Sequence, residues 1–282
     1  MSQKTPYRPS QLQDHFLTKE IFTIDWDSSK QIGATVFPDT TDLDIYYKSS
    51  NYASHQDQKK GWFGKAYRFA QRLMFHRKLQ LLARCIPKRG RVLDYGCGVG
   101  DFMKMLTKHG YETVGVEPNP SARAILAAKQ LHVFPSMQSL SSQPRFDVIT
   151  LWHVLEHLKN PSVSLQDFYE KLHPEGYLIL ALPNPDSWDA HHYKSFWAAW
   201  DVPRHLWHFT EEGIIRLASG AGFVHCKTKA LPLDAFYVSL LSEGYQGNSQ
   251  KWMRALYNGI RSTIYGISKG NYSSQIYLFQ KP

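Results

Sequence analysis

Cysteine is nearly absent from this sequence. The three present in 282 residues, Cys85, Cys97 and Cys226, stand far apart and form no CxxC pair. That excludes a disulfide-stapled scaffold and a cysteine-rich zinc site. Long apolar runs are missing too: none approaches the roughly 18 residues a spanning helix needs, so an integral membrane protein is not expected. The opening MSQKTPYRPSQLQDHF lacks the apolar segment of a secretory signal, and the expected compartment is the cytoplasm. There is no repeat and no low-complexity tract. No basic stripe beside a recognition helix and no base-flipping signature is visible, so nucleic acid is not an expected partner. Acidic side chains are in deficit, 24 against 33 Lys and Arg, giving a net charge of +9. This permits an anionic small molecule or surface without choosing between them. Nothing in the sequence sets the oligomeric state.

What is present is enough apolar residue, 43% of the chain, to bury one full α/β core with additions. Residues 1–60 are polar and tyrosine-dotted, with β-like pieces EIFTI and GATVF, and read as a small N-terminal cap. From Trp62 to Cys85, Phe63, Tyr67, Phe69, Leu73, Leu79 and Leu82 recur at helical spacing among six cations, a basic amphipathic helix. Strand-like and helix-like runs then alternate: VLDYG, DFMKMLTKHG, TVGVEP, PSARAILAAKQL, FDVITLW, PSVSLQDFYEKLH, YLILALP. Such alternation predicts a parallel sheet with helices on both faces. After Pro183 comes an aromatic, histidine-rich stretch whose four tryptophans argue for order. A helix EEGIIRLASGAG, a strand FVHCKTKAL, a helical segment 234–270 and a closing strand SSQIYLFQK complete the chain.

The chemistry concentrates in VLDYGCGVGDF. At the end of a strand, Gly96, Gly98 and Gly100 allow a sharp turn and close approach to a ligand, and a helix starts near Asp101. At the end of the next strand Glu117 can accept hydrogen bonds from a ribose diol, which points to a nucleoside. The spacing is GxGxG, Asp94 stands at the loop entry, and Pro-Asn-Pro follows Glu117. Two acidic groups, Asp94 and Asp101, would repel a pyrophosphate but tolerate a cationic sulfonium and an amino group.

On these residues the sequence resembles the class I S-adenosylmethionine-dependent methyltransferases. VLDYGCGVGDF stands as the first signature, VGVEPNP as the second, and FDVITLWHVLEHLKNP as the third, in the form of ubiquinone-type O-methyltransferases and sugar C-methyltransferases. The resemblance covers about residues 60–230. It implies an α/β, Rossmann-like, seven-stranded, mostly parallel sheet with an antiparallel last strand, in a domain over 61–282 that follows the cap. Within it, 184–210 and 234–270 would be lid segments on the substrate side. It implies S-adenosylmethionine as cofactor, with Asp94, Gly96, Cys97, Gly98 and Gly100 lining the methionine side and Cys97 contributing mainly backbone. Glu117 would hold the ribose, Pro118, Asn119, Ser136 and Met137 would flank the adenine, and Leu151 and Trp152 would close the methionine side. Members of this group often carry a cysteine zinc knuckle in the cap; residues 1–60 contain no cysteine, and no metal is expected.

HVLEH places His153, Glu156 and His157 at i, i+3 and i+4, on one face if helical. Imidazole titrates in the range useful to a base, so acceptor activation is one reading; loop hydrogen bonding and a divalent-metal site are the others. On the acceptor side, Trp197, Arg204, His205 and His208 around DVPRHLWHF, together with Tyr52 in the cap, are candidates for a small-molecule acceptor, Arg204 for an anionic one. Trp252, Met253, Leu256, Ile260, Ile264 and Ile267 form an apolar stripe beside Lys251, Arg254 and Arg261. It reads first as lid packing or a dimer contact, and second as the membrane dock of a quinone or lipid head-group enzyme. A cofactor-binding protein without catalysis is the reading from another class.

Overall fold

The computed structural model describes residues 6–37, 43–46, 62–87 and 89–282. In chain order the elements are β1 (Gln11–Gln13), β2 (Ile21–Asp27), β3 (Ile32–Val36), α1 (Trp62–Leu82), β4 (Arg91–Tyr95), α2 (Asp101–Lys108), β5 (Glu112–Val116), α3 (Pro120–Ala128), β6 (Val133–Phe134), β7 (Phe146–Trp152), α4 (Pro161–Lys171), β8 (Leu172–Pro183), α5 (Trp188–Tyr193), β9 (Trp207–Phe209), α6 (Glu211–Gly220), β10 (Val224–Ala230), α7 (Asp234–Tyr245), α8 (Lys251–Lys269) and β11 (Ser274–Gln280). Two boundaries show their local cause plainly. Asn119 caps α3 by accepting from the amides of Ser121 and Ala122, with Pro120 at the first helical position. Gly110, at φ 88°, turns the chain after α2.

Seven strands form one sheet in the order β10-β11-β8-β7-β4-β5-β6. The pairings β4 with β5, β4 with β7, β5 with β6 and β7 with β8 are all parallel, as the alternating pattern requires. The expected seven-stranded, mostly parallel α/β sheet is therefore present. Its central strands carry fully buried Val92, Leu93, Val148, Ile149, Leu151, Leu178, Ile179 and Leu180, the continuous apolar runs of strands covered on both faces. The carboxyl ends of β4, β5 and β7 then lie side by side, because Tyr95 registers with Val116 and with Leu151.

The contacts divide the chain into two compact units. One comprises Met1–Lys65, Leu182–Arg216 and Lys229–Ile276, the other Ala66–Ala181, Leu217–Thr228 and Tyr277–Pro282. The segments 184–210 and 234–270, read from sequence as lids of the larger domain, thus group with residues 1–65. The β-like pieces of the N-terminus are strands of a second sheet, ordered β1-β2-β3-β9. In it Ala34 registers with Trp207, so the histidine-rich stretch supplies the fourth strand. That unit has its own core, in which Phe22 and Ile24 of the alternating β2 meet Trp197, Trp200 and Tyr193.

Candidate active site

All three loop glycines are left-handed, Gly96 at φ 73°, Gly98 at 56° and Gly100 at 78°. In that region a side chain costs about 1–2 kcal/mol, so the sequence needs glycine at each. Their surroundings differ. A Cβ on Gly96 would lie 2.5 Å from Val154 Cγ2, and one on Gly100 2.4 Å from Leu126 Cδ2, whereas one on Gly98 would meet nothing within 4 Å. Gly96 and Gly100 serve packing; Gly98 presents bare backbone to open space.

Two buried carboxylates flank that space. Glu117 accepts from the Gly98 amide through Oε2 at 2.8 Å and from the Asn119 amide through Oε1 at 2.9 Å, which ties the loop to the end of β5. Burial pushes its pKa up, and these two amide hydrogen bonds and Arg123 oppose the rise. Each oxygen keeps a further lone pair for a diol. Asp94, 2% exposed, accepts from Thr150 Oγ1 at 2.8 Å. Burial raises its pKa to about 6, against the Thr150 bond and the Lys78 charge and with the help of Glu117. Burial, and then Asp94 and Glu117, push the Cys97 thiol far up, which holds it protonated and unsuited to nucleophilic attack. Asp101 lies apart from this pair of carboxylates in its chemistry, bridging to Lys129 at 3.0 Å.

Around this cradle the other expected residues take particular stations. Pro118 carries a carbonyl that accepts from Arg123, and the Asn119 side-chain oxygen is committed to the α3 cap. Ser136 Oγ pairs with Ser139 Oγ at 3.2 Å; Met137 and Leu151 are buried. Trp152 packs edge-on against Phe102, with Lys78 Nζ 4.0 Å from its ring centroid.

HVLEH is not a stretch of α-helix. After β7 the chain passes through His153 in the left-handed region, at φ 57°, and only Leu155–His157 makes a single tight turn. The reason is the strand: the His153 amide still bonds the Ala181 carbonyl, so β7 and β8 hold the backbone extended up to that residue. His153 and Glu156 nevertheless meet, Nδ1 to Oε1 at 3.5 Å, with Glu156 fully buried. A non-glycine residue held left-handed beside a buried carboxylate is the kind of strain found at working sites.

The acceptor-side candidates are interior residues of the other unit. Trp197 Nε1 donates to Asp189 Oδ2 at 2.7 Å. Arg204, 1% exposed, spends its charge on Asp14 at 3.2 Å and Asp201 at 2.7 Å, so the anion it binds is the chain's own. His205 Nδ1 faces the Ala199 carbonyl at 3.0 Å. His208 sits 3.1 Å from Thr35 Oγ1, and burial lowers its pKa to about 3, which keeps it neutral. Side-chain type is legible in DVPRHLWHF; two of the partners that consume it, Thr35 for His208 and Asp14 for Arg204, are 173 and 190 residues away in sequence. Tyr52 and Tyr47 lie outside the described residues; Tyr46 donates to Glu20 at 2.8 Å.

Three residues of the cradle escape sequence reading. Thr150, a hydroxyl inside the apolar strand FDVITLW, carries a visible signal; Lys78, one of five Lys and Arg residues on α1, and Val154, which fills the space against Gly96, carry none.

A family model described as a methyltransferase domain matches residues 66–227. The chain is 31% identical over 101 residues to the ubiquinone biosynthesis O-methyltransferase of Bradyrhizobium diazoefficiens, covering 33% of this chain and 40% of that protein. To the protein of the same description from Coxiella burnetii it is 29% identical over 116 residues, covering 38% and 50%. It thus spans about half or less of the length of the curated relatives it matches. Among solved structures, a SAM dependent methyltransferase from Archaeoglobus fulgidus aligns at TM-score 0.51 and 21% identity, over 74% of this chain and 94% of that one. The Haemonchus contortus phosphoethanolamine N-methyltransferase 2 in complex with S-adenosyl-L-methionine aligns at 0.55 and 17%, over 89% and 62%. At these identities the structures establish the fold alone.

Proposed function

The chain belongs to the methyltransferase-domain family of S-adenosylmethionine-dependent enzymes, and from that premise we propose that it methylates an oxygen or carbon of a small-molecule acceptor at the edge formed by β4, β5 and β7. The observation that carries the reading is the cradle itself: bare backbone at Gly98 between two buried carboxylates. The residues fit the cofactor. Glu117 would hold the ribose diol, Asp94 the amino group, and Gly98 the closest backbone approach; Gly96 and Gly100 shape the turn from behind. Pro118, the Asn119 backbone, Ser136 and Met137 would border the adenine, and Leu151 and Trp152 the methionine chain.

When bound, the cofactor supplies a sulfonium-activated methyl group, so the protein's tasks are alignment and proton removal. Asp94 and Glu117 supply negative charge that favours a cationic donor over the neutral thioether product. His157, and His153 braced by Glu156, are the groups assigned to take the acceptor's proton. An oxygen acceptor is favoured by the likeness to the ubiquinone biosynthesis O-methyltransferases. The rival reading, a cofactor-binding protein without catalysis, gains nothing from these comparisons.

The test is incubation with S-adenosylmethionine carrying a deuterated methyl group and a small-molecule extract, followed by mass spectrometry. A mass-shifted small molecule labelled on oxygen or carbon is the expected product. Label found solely in nucleic acid or protein, or cofactor binding with no product at all, would overturn the assignment.

A further inference from the structure

Helix α8 is amphipathic in the wrong sense for a packed helix. At 100° per residue, Met253, Leu256, Tyr257, Ile260, Ile264 and Ile267 fall within a sector of about 100°. That sector faces outward: Met253 is 65% exposed, Ile264 60% and Ile267 70%. The buried side, about 180° away, carries Ala255, Asn258, Gly259, Ser262 and Gly266. Lid packing, the first expectation for this stripe, is therefore done by the opposite face.

The helix cannot roll to bury its apolar side. Asn258 Nδ2 donates to Tyr193 and to Glu243 at 2.9 Å each, and Ser262 Oγ donates to Asp189 Oδ1 at 2.6 Å, all three bonds buried. A Cβ on Gly259 would stand 2.6 Å from Phe236, and one on Gly266 2.4 Å from Tyr272, so only glycine admits this close approach. Rotation would break buried hydrogen bonds that cost about 1–3 kcal/mol each to leave unmade. The outward position of the apolar side is built in.

One flank is basic. Arg254 and Arg261 project about 80–100° from Met253, both along the same edge of the stripe, whereas Lys251, in the first turn, points about 160° away from it. Arg254 reaches Glu243 at 2.9 Å yet stays half exposed, and Arg261 stacks over Trp188 and Tyr257. A single helical stripe about 28 Å long and one side chain wide offers roughly 300 Å², well short of the ~800 Å² per partner of a stable dimer. An anionic lipid surface matches better: it accepts a narrow apolar ridge to a shallow depth and attracts the cations along its edge, with Trp252 and Tyr257 at headgroup level.

We propose that α8 docks the protein on anionic membrane surfaces through Met253, Leu256, Ile260, Ile264 and Ile267, with Arg254 and Arg261 engaging the headgroups. The test is sedimentation of the full chain with vesicles of phosphatidylcholine alone and of phosphatidylcholine with phosphatidylglycerol at about three to one, a reading that needs no turnover. The wild type should bind the mixed vesicles, weakly or not at all the neutral ones, and lose binding as salt rises. A Met253→Glu/Ile264→Glu variant should bind at least about tenfold less while its melting temperature and S-adenosylhomocysteine affinity stay unchanged, since both positions face outward. No binding to either vesicle overturns the proposal. So does undiminished binding by the variant, or a wild-type dimer in sedimentation velocity that the variant abolishes.

Discussion

Replacing Gly98 and Gly100 by alanine separates a ligand-facing glycine from a packing glycine. Both are left-handed, so each substitution carries the same backbone cost of about 1–2 kcal/mol. At Gly98 nothing adds to it, because the new methyl meets no atom within 4 Å. At Gly100 the methyl would stand 2.4 Å from Cδ2 of the fully buried Leu126 and 2.6 Å from Cδ1 of the half-buried Leu131, adding about 1–3 kcal/mol of overpacking. For a chain of this size 1 kcal/mol corresponds to about 2–4 °C in melting temperature. Gly98→Ala should therefore melt about 2–8 °C low, and Gly100→Ala about 4–20 °C low. Cofactor affinity should rank the other way. The Gly98 methyl projects into the space assigned to the ligand and should weaken S-adenosylhomocysteine binding at least about tenfold, or 1.4 kcal/mol. Gly100→Ala, measured below its melting range, should bind nearly normally. Differential scanning fluorimetry and titration calorimetry give the two numbers. Wild-type affinity in Gly98→Ala would refute the placement of the cofactor over that residue.

The remaining expectations concern charge and chemistry. The raised pKa of Asp94, about 6 against an ordinary 3.8, means the folded protein holds the extra proton between those values; its contribution to stability falls as pH rises from about 4 to 6 and is level above. Cofactor affinity runs oppositely, because an ammonium group wants the carboxylate: binding of S-adenosylhomocysteine should fall toward tenfold per pH unit below about 6, and Asp94→Asn should be weaker and flat across that range. Glu117→Ala leaves the Gly98 and Asn119 amides without their acceptor and should cost about 1–3 kcal/mol in cofactor binding; unchanged binding would remove Glu117 from the ribose site. His157→Asn should lower kcat about 10²- to 10⁴-fold with cofactor affinity and melting temperature preserved, whereas a merely structural His157 would lower the latter two together. Activity should survive EDTA; stoichiometric zinc required for turnover would instead assign His153, Glu156 and His157 to a metal.

Most of the parallel sheet is legible because its strands are continuous apolar runs bounded by glycine and proline, a pattern with local causes. VLDYG, TVGVEP, FDVITLW and YLILALP all correspond to strands at nearly the residues read. The second sheet is not legible in the same way. β1 and β9 are three residues each, too short for a period, and β9 pairs with a strand 173 residues earlier through Ala34 and Trp207. Nothing local announces such a pairing. The same distance hides the unit boundary: Tyr46, Phe22, Trp200 and Val238 share one core, although the chain between them builds most of the other unit.

The site divides along a similar line. Where function resides in backbone shape, the sequence is a direct record: three glycines can stand at left-handed angles more cheaply than any other residue, and Glu117 is bound to the loop it faces by the Gly98 amide. Where function depends on a side chain's being free, residue type says little, because a charged group is defined by what neutralises it. Arg204 in DVPRHLWHF looks like an anion receptor until Asp14 and Asp201 are seen against it, and His208 looks like a base until burial fixes it neutral. The converse holds for α8, whose stripe suggested an inward contact because apolar faces normally turn inward. Its direction was set by Asn258, Ser262, Gly259 and Gly266, small residues that pack more tightly than the apolar ones could. A helix with two surfaces able to pack buries the one whose polar groups find partners, and here that leaves the hydrophobic side to solvent.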